Sequence, residues 1–190
     1  MDIQKRINVA IERYSKAIKS LAEQGEVIDV VAQKCIDAII NGNKLILAGN
    51  GGSAADAQHA AAELIGKLGL GRQRRPLPAI ALNVDTSVIT ALANDFGYYE
   101  VFAKQIQALG QEGDVFIALS TSGTSPNILR AVEIARDLGI VIIAMSGPYE
   151  TPLSEKADNT IHIEGSDTPS IQTGHGIALH ILCELIESRF

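Results

Sequence analysis

The chain has 190 residues, 46% of them hydrophobic, and a formal net charge of −6 at neutral pH. That length suits one domain with a sizeable core, and the acidic balance argues against a nucleic-acid or anionic-membrane partner. Only 4% of residues are aromatic and Trp is absent, so platforms for stacking nucleobases are scarce. The first 42 residues read as a helical hairpin. Ile3, Ile7, Ile11, Tyr14, Ile18 and Leu21 recur at three- and four-residue steps, the mark of an amphipathic helix. Ile28, Val31, Cys35 and Ile39 share one face of a second helix between Gly25 and Gly42. These faces must be buried against the core or against another subunit. Residues 43–190 then alternate. Strands are expected at 45–48, 79–82, 115–119, 140–145 and 160–163, and helices at 53–67, 86–93, 98–109, 126–138 and 170–188. Apolar strand runs alternating with helices indicate an α/β fold, a parallel sheet covered on both faces. Cys35 and Cys183 fall within expected helices and read as small buried apolar groups in a reducing compartment. No basic and apolar leader opens the chain, and no apolar run approaches the roughly 18 residues of a membrane span. A cytoplasmic location is therefore expected.

Two loops carry polar chemistry. Gly49-Asn50-Gly51-Gly52-Ser53 ends the first strand and opens a helix, which aims backbone N–H groups and the helix dipole at one point, an anion site. Read from Gly49 it also fits a dinucleotide pattern. That pattern needs an acidic residue about twenty positions on, and Asp85 comes much later, so no nucleotide cofactor is expected. Ser120-Thr121-Ser122-Gly123-Thr124-Ser125 follows the third strand, with Ser125 as N-cap and Pro126 at the first helical position. Five hydroxyls in six residues exceed what a cap requires and suit a phosphate monoester. A nucleotide-hydrolysing phosphate loop with its lysine is absent. Residues 69–78, with Arg72, Arg74 and Arg75, form the one basic loop, read as solvated or in contact with another subunit.

His59 and Glu63 stand one helical turn apart on one face, donors that suit zinc or a similar divalent ion. Their helix is otherwise mostly Ala, Leu and Ile and reads as largely buried, where a carboxylate needs a partner. The last helix carries Gln172, His175 and His180. Gln172 and His180 are eight positions apart, about 80° around an ideal helix, so they can converge on one site without facing identically.

Together these residues resemble the phosphoheptose isomerases, the sedoheptulose 7-phosphate isomerases of the SIS (sugar isomerase) superfamily. The likeness spans essentially the whole chain and rests on the helical start, Gly49 to Ser53, Asp56-Ala57-Gln58-His59, Glu63-Leu64, Asn94-Asp95, Ser120-Thr121-Ser122-Gly123, Ile171-Gln172, and the His175/His180 pair. The resemblance implies a flavodoxin-like, three-layer SIS fold with a mainly five-stranded parallel sheet, in a single domain over 1–190. It implies a homotetramer with active sites between subunits. It implies zinc at His59, Glu63, Gln172 and His180, with Glu63 as general base and His180 as general acid. Substrate contacts would fall to Asn50, Gly51, Gly52, Ser53, Glu63, Asn94, Asp95, Ser120, Thr121, Ser122, Ser125 and Gln172. The implied reaction converts D-sedoheptulose 7-phosphate to D-glycero-D-manno-heptose 7-phosphate through an enediol, for lipopolysaccharide or a related heptose glycan. The family's usual Ile-Gln-Glu is here Ile171-Gln172-Thr173, and Ser170 stands where arginine is common, which bears on substrate preference and rate. The competing reading is a non-catalytic SIS protein that binds a phosphosugar or the replication initiator. Such proteins lack the carboxylate and terminal histidine, and the presence of Glu63 and His180 favours the enzyme.

Overall fold

A computed structural model describes residues 2–69 and 74–190; Arg72 of the basic loop lies outside them. Helix α1 spans Ile3–Lys19, capped by the Asp2 carboxylate accepting from the Lys5 N–H. Only Ala17 of α1 is buried, while Ile3, Ile7 and Ile11 remain exposed. A 3-10 turn, Ser20–Gln24, leads into α2, Gly25–Ile40, which buries the expected Ile28, Val31, Cys35 and Ile39. The hairpin's second helix is therefore core, and most of the first is surface.

The rest is a doubly wound sheet. In chain order come β1 (Leu45–Ala48), α3 (Gly52–Ile65), β2 (Ala79–Ala81), α4 (Thr86–Phe96), α5 (Val101–Leu109), β3 (Val115–Leu119), α6 (Pro126–Asp137), β4 (Val141–Ser146), α7 (Pro152–Lys156), β5 (Asn159–His162) and α8 (Thr168–Glu187). All strand pairs are parallel, in the order β2-β1-β3-β4-β5. Alternate strand residues feed two cores. Leu45, Leu47, Val115, Ile117 and Met145 pack with α2, α3 and α8 on one face. Ile46, Ala48, Phe116, Ala118 and Ile142 pack with α5 and α6 on the other. The sheet is thus buried on both faces, as its uninterrupted apolar strands require. Strand order reverses between β1 and β3, and ligands of open parallel sheets bind at the carboxyl ends of such a pair. The two polar loops leave the sheet there. No described helix is long and apolar enough to cross a membrane.

Three local features depart from the sequence expectation. Gly97, with φ of 85°, stops α4 and turns the chain into a 3-10 turn at Tyr98–Glu100 before α5. Helix α7 was not foreseen; a capping box between Thr151 and Ser154 starts it. Helix α8 begins two residues early because Asp167 and Ser170 form a second capping box. Gly174 sits inside α8 for a packing reason: a Cβ there would run into Ile163, so only glycine lets the helix approach the end of the sheet.

Candidate active site

Three helix N-termini converge on one cavity of about 290 Å³. The first is that of α3, after Gly51. The second is α6, after Ser125. The third is α8, which contributes Thr168 and Gln172. Asn50, Gly51, Gly52, Ser53, Leu119, Ser120, Thr121 and Ser125 complete the walls. Three positive helix ends and no side-chain cation among these lining residues make a cradle for an anion. The Ser125 hydroxyl does not cap α6. It turns to Ser120 Oγ at 3.1 Å, and Ser120 Oγ lies 3.5 Å from Ser122 Oγ. Hydroxyls bonded to one another can be redirected to phosphate oxygens. Ser122 lines an adjoining cavity of about 300 Å³ beyond Thr121, with Tyr149, Thr151 and Asp167. The hydrogen bond to Ser170 holds the Asp167 carboxyl below the usual range.

The glycine loop is braced by Asn83, Tyr98 and Asn127, which belong to no sequence motif. Asn50 and Asn127 exchange two amide hydrogen bonds of 2.9 Å. Tyr98 donates to Asn50 Oδ1, and Asn83 donates to the Gly49 carbonyl. A Cβ on Gly52 would come within 2.5 Å of the Gln172 amide, so glycine is what lets Gln172 lie across the start of α3.

Helices α3 and α8 run side by side in the same direction, and the seam between them leads away from this cradle. Gln172 faces Gly52, Gly176 faces Asp56, and His180 faces His59 and Glu63. His59 Nε2 lies 3.0 Å from His180 Nε2 and 3.1 Å from Glu63 Oε1, and His180 Nε2 lies 3.4 Å from the same oxygen. These three donors form a group that can hold a metal ion. Donors about 2.0–2.1 Å from a tetrahedral ion stand about 3.3 Å from each other, close to the spacing seen. Glu63 Oε2 is buried without a hydrogen-bond partner, as is Asp56 Oδ2. Burial raises the Asp56 carboxyl, and the neighbouring His59 opposes the rise. The donor set therefore fits a divalent cation.

The helix is more open than its composition suggests, since the His59 side chain is 59% exposed. Gln172, the fourth expected ligand, points at Gly52. Eight residues, about 12 Å of helix axis, separate it from His180, so it stands apart from the other three. Asn94 and Asp95 bond to each other on the exposed end of α4 and line neither cavity. His175 is fully buried, its Nε2 3.3 Å from the Ser146 carbonyl, and burial pushes its pKa down to about 4. Cys35 and Cys183 are free, buried thiols; burial raises Cys35 to about 12 and raises Cys183 as well. Arg74 is not solvated but buried.

The SIS domain model matches residues 10–147. A phosphoheptose isomerase from Geotalea daltonii is 44% identical over 184 residues, 96% of this chain and 95% of that one. The chain belongs to the phosphoheptose isomerase family of SIS domain proteins. Membership makes it an enzyme of the isomerase class. Solved phosphoheptose isomerases from Francisella tularensis and Neisseria gonorrhoeae share its fold, with TM-scores of 0.93 and 0.91 at 35% and 34% identity. The matches cover 99% and 98% of this chain and 100% of each of theirs.

Proposed function

We propose that the chain converts D-sedoheptulose 7-phosphate to D-glycero-D-manno-heptose 7-phosphate, in the cytoplasm, as a step toward a heptose glycan such as lipopolysaccharide. The observation that carries this is the pairing of an anion cradle with an acid–base and metal-ligand group along one helix–helix seam. The phosphate sits among the α3, α6 and α8 N-termini, held by Ser120, Thr121, Ser122, Ser125, the N–H groups of Gly51 and Gly52, and the Ser53 hydroxyl. Asn50 and Gln172 orient the first sugar hydroxyls. Gly52 and His59 are seven residues apart, about 10 Å of helix axis, a span an extended seven-carbon phosphate ester can bridge. The reacting C1–C2 end then reaches Glu63.

Glu63 removes the proton from C1 of the ketose and returns it to C2 of the enediol. His180 moves the proton between the two oxygens. His59, Glu63, His180 and, once turned, Gln172 would hold zinc. When bound, the cation polarises the carbonyl and offsets negative charge developing on its oxygen. A carboxylate that ligates a metal is a weaker base, so the two roles of Glu63 alternate. The working assembly is a homotetramer with sites between subunits. Its support is the exposed Ile3, Ile7 and Ile11 of α1, the exposed Phe96 at the end of α4 with Tyr98 and Tyr99 just beyond it, and the position of Asn94 and Asp95 outside their own chain's cavities. The test is incubation with sedoheptulose 7-phosphate and detection of the aldose phosphate. Formation of the aldose is expected; binding without turnover would identify a phosphosugar-binding protein instead.

A further inference from the structure

Of the basic loop, Arg74 is the residue whose surroundings the isomerase reading leaves unused. Its side chain is 2% exposed. Nη2 donates to the Glu63 carbonyl at 2.7 Å and Nη1 to the Leu64 carbonyl at 2.8 Å. Nε donates to Glu187 Oε1 at 3.0 Å, and Glu187 is also 2% exposed. Glu63 and Leu64 lie in the last turn of α3, and Glu187 is the last residue of α8. Arg74 therefore joins the C-terminal ends of the two helices that carry His59, Glu63 and His180.

Two parallel helices side by side bring their negative dipole ends together, and a carboxylate at the end of α8 adds to that charge. One buried guanidinium answers both problems. It takes up the Glu63 carbonyl at the helix end, shares the Leu64 carbonyl with the Leu77 N–H, and neutralises Glu187. Its planar fork also fixes direction, which a lysine ammonium on the same carbons cannot do. Sliding α3 against α8 would stretch at least one of the three bonds.

We infer that Arg74, tied to Glu187, is a positioning residue: it sets the stagger of α3 against α8 and so holds the Glu63 carboxylate in register with His180. This rests on the acid–base and ligand roles proposed above for Glu63 and His180. Misplacement of a reacting group by about 1 Å can cost about a hundredfold in rate, and changing a residue that orients metal ligands typically costs 10–100-fold in affinity or activity.

The test is Arg74→Lys in the full chain, which keeps the charge and loses the fork. The expected result is a 10–100-fold lower kcat with KM within about threefold, and about tenfold weaker zinc affinity by calorimetric titration. Glu187→Gln keeps an acceptor for Nε and should show smaller losses of the same two quantities; it carries the test if Arg74→Lys fails to fold. Ile36→Val, a core change on α2, is the control for lost stability alone and should alter neither quantity. Wild-type kcat and zinc affinity in Glu187→Gln and in any folded Arg74→Lys, with only a lower Tm, would overturn the positioning role. Failure of the underlying reading is separable: the unsubstituted chain would then neither bind zinc nor turn over the sugar.

Discussion

The two ends of strand β3 make an instructive contrast. At its start, Asp114 is fully buried, and both carboxylate oxygens are occupied. Oδ1 accepts from the Lys44 N–H, and Oδ2 accepts from Lys44 Nζ at 2.6 Å and from the Gln111 N–H at 3.0 Å. That cluster ties β1 to β3 from within the protein. At the other end, the Ser120, Ser122 and Ser125 hydroxyls bond only to one another and to Gly123 and Thr124 of the same loop, and along the adjoining seam Asp56 Oδ2 and Glu63 Oε2 have no hydrogen-bond partner. Buried polar groups are normally satisfied. At the start of β3 the protein satisfies its own polar groups and the role is structural; at the other end the spare capacity of Asp56 and Glu63 lies beside the His59–Glu63–His180 group, where a ligand can take it up.

Substitutions should separate the two ends. Glu63→Gln should lower kcat by about 10²–10⁴-fold, with Tm and oligomeric state unchanged; retained turnover would remove Glu63 as the base. Asp114→Ala should do the opposite. Loss of the carboxylate leaves the Lys44 and Gln111 N–H groups without their acceptor, at about 1–3 kcal/mol for each, read by urea denaturation, while kcat per folded molecule stays at the wild-type value. A large loss of kcat in that variant would blur the division.

His175 offers a subtler probe, because it is buried yet lies on the site's own helix. Its folded pKa of about 4 is below the ordinary 6.5, so between these values the unfolded chain binds the extra proton. Stability therefore falls as pH drops through 6.5 toward 4, and acidification from pH 7 to 5 should cost about 2 kcal/mol through this residue. His175→Gln should flatten the pH dependence of the urea midpoint by that amount; an identical slope would show that His175 is not held neutral. The smallest expected effect is Ser122→Ala, which removes a hydrogen bond to a charged group worth about 1.5 kcal/mol. Affinity for the phosphosugar should fall about tenfold with stability unchanged, and an unaltered affinity would take Ser122 out of the anchor.

Much of this was readable in the sequence, for identifiable reasons. Parallel strands buried on both faces leave unbroken apolar runs, so all five stood out. Glycines and hydroxyls cluster where backbone approaches an anion, so both loops stood out. The His59–Glu63 spacing is local and visible. Their meeting with His180 is not, because it depends on α3 and α8 packing in parallel across 121 positions. The braces on the glycine loop, Asn83, Tyr98 and Asn127, have no spacing signature. Helix α7 is five residues long, too short for a periodic signal. The burial of Arg74 is not legible because a buried arginine looks like any other in the sequence until its partners, Glu187 and two helix-end carbonyls, are brought beside it by the fold.

The most direct test of the seam as a catalytic centre follows zinc and turnover together. Chelated protein is titrated with zinc while bound metal and aldose phosphate formation are recorded, for the wild type and for His180→Ala. The expected result is no turnover without metal, activity rising in step with zinc to one ion per chain, and both lost in His180→Ala. Full activity in the chelated protein, or unchanged zinc binding without His180, would contradict it.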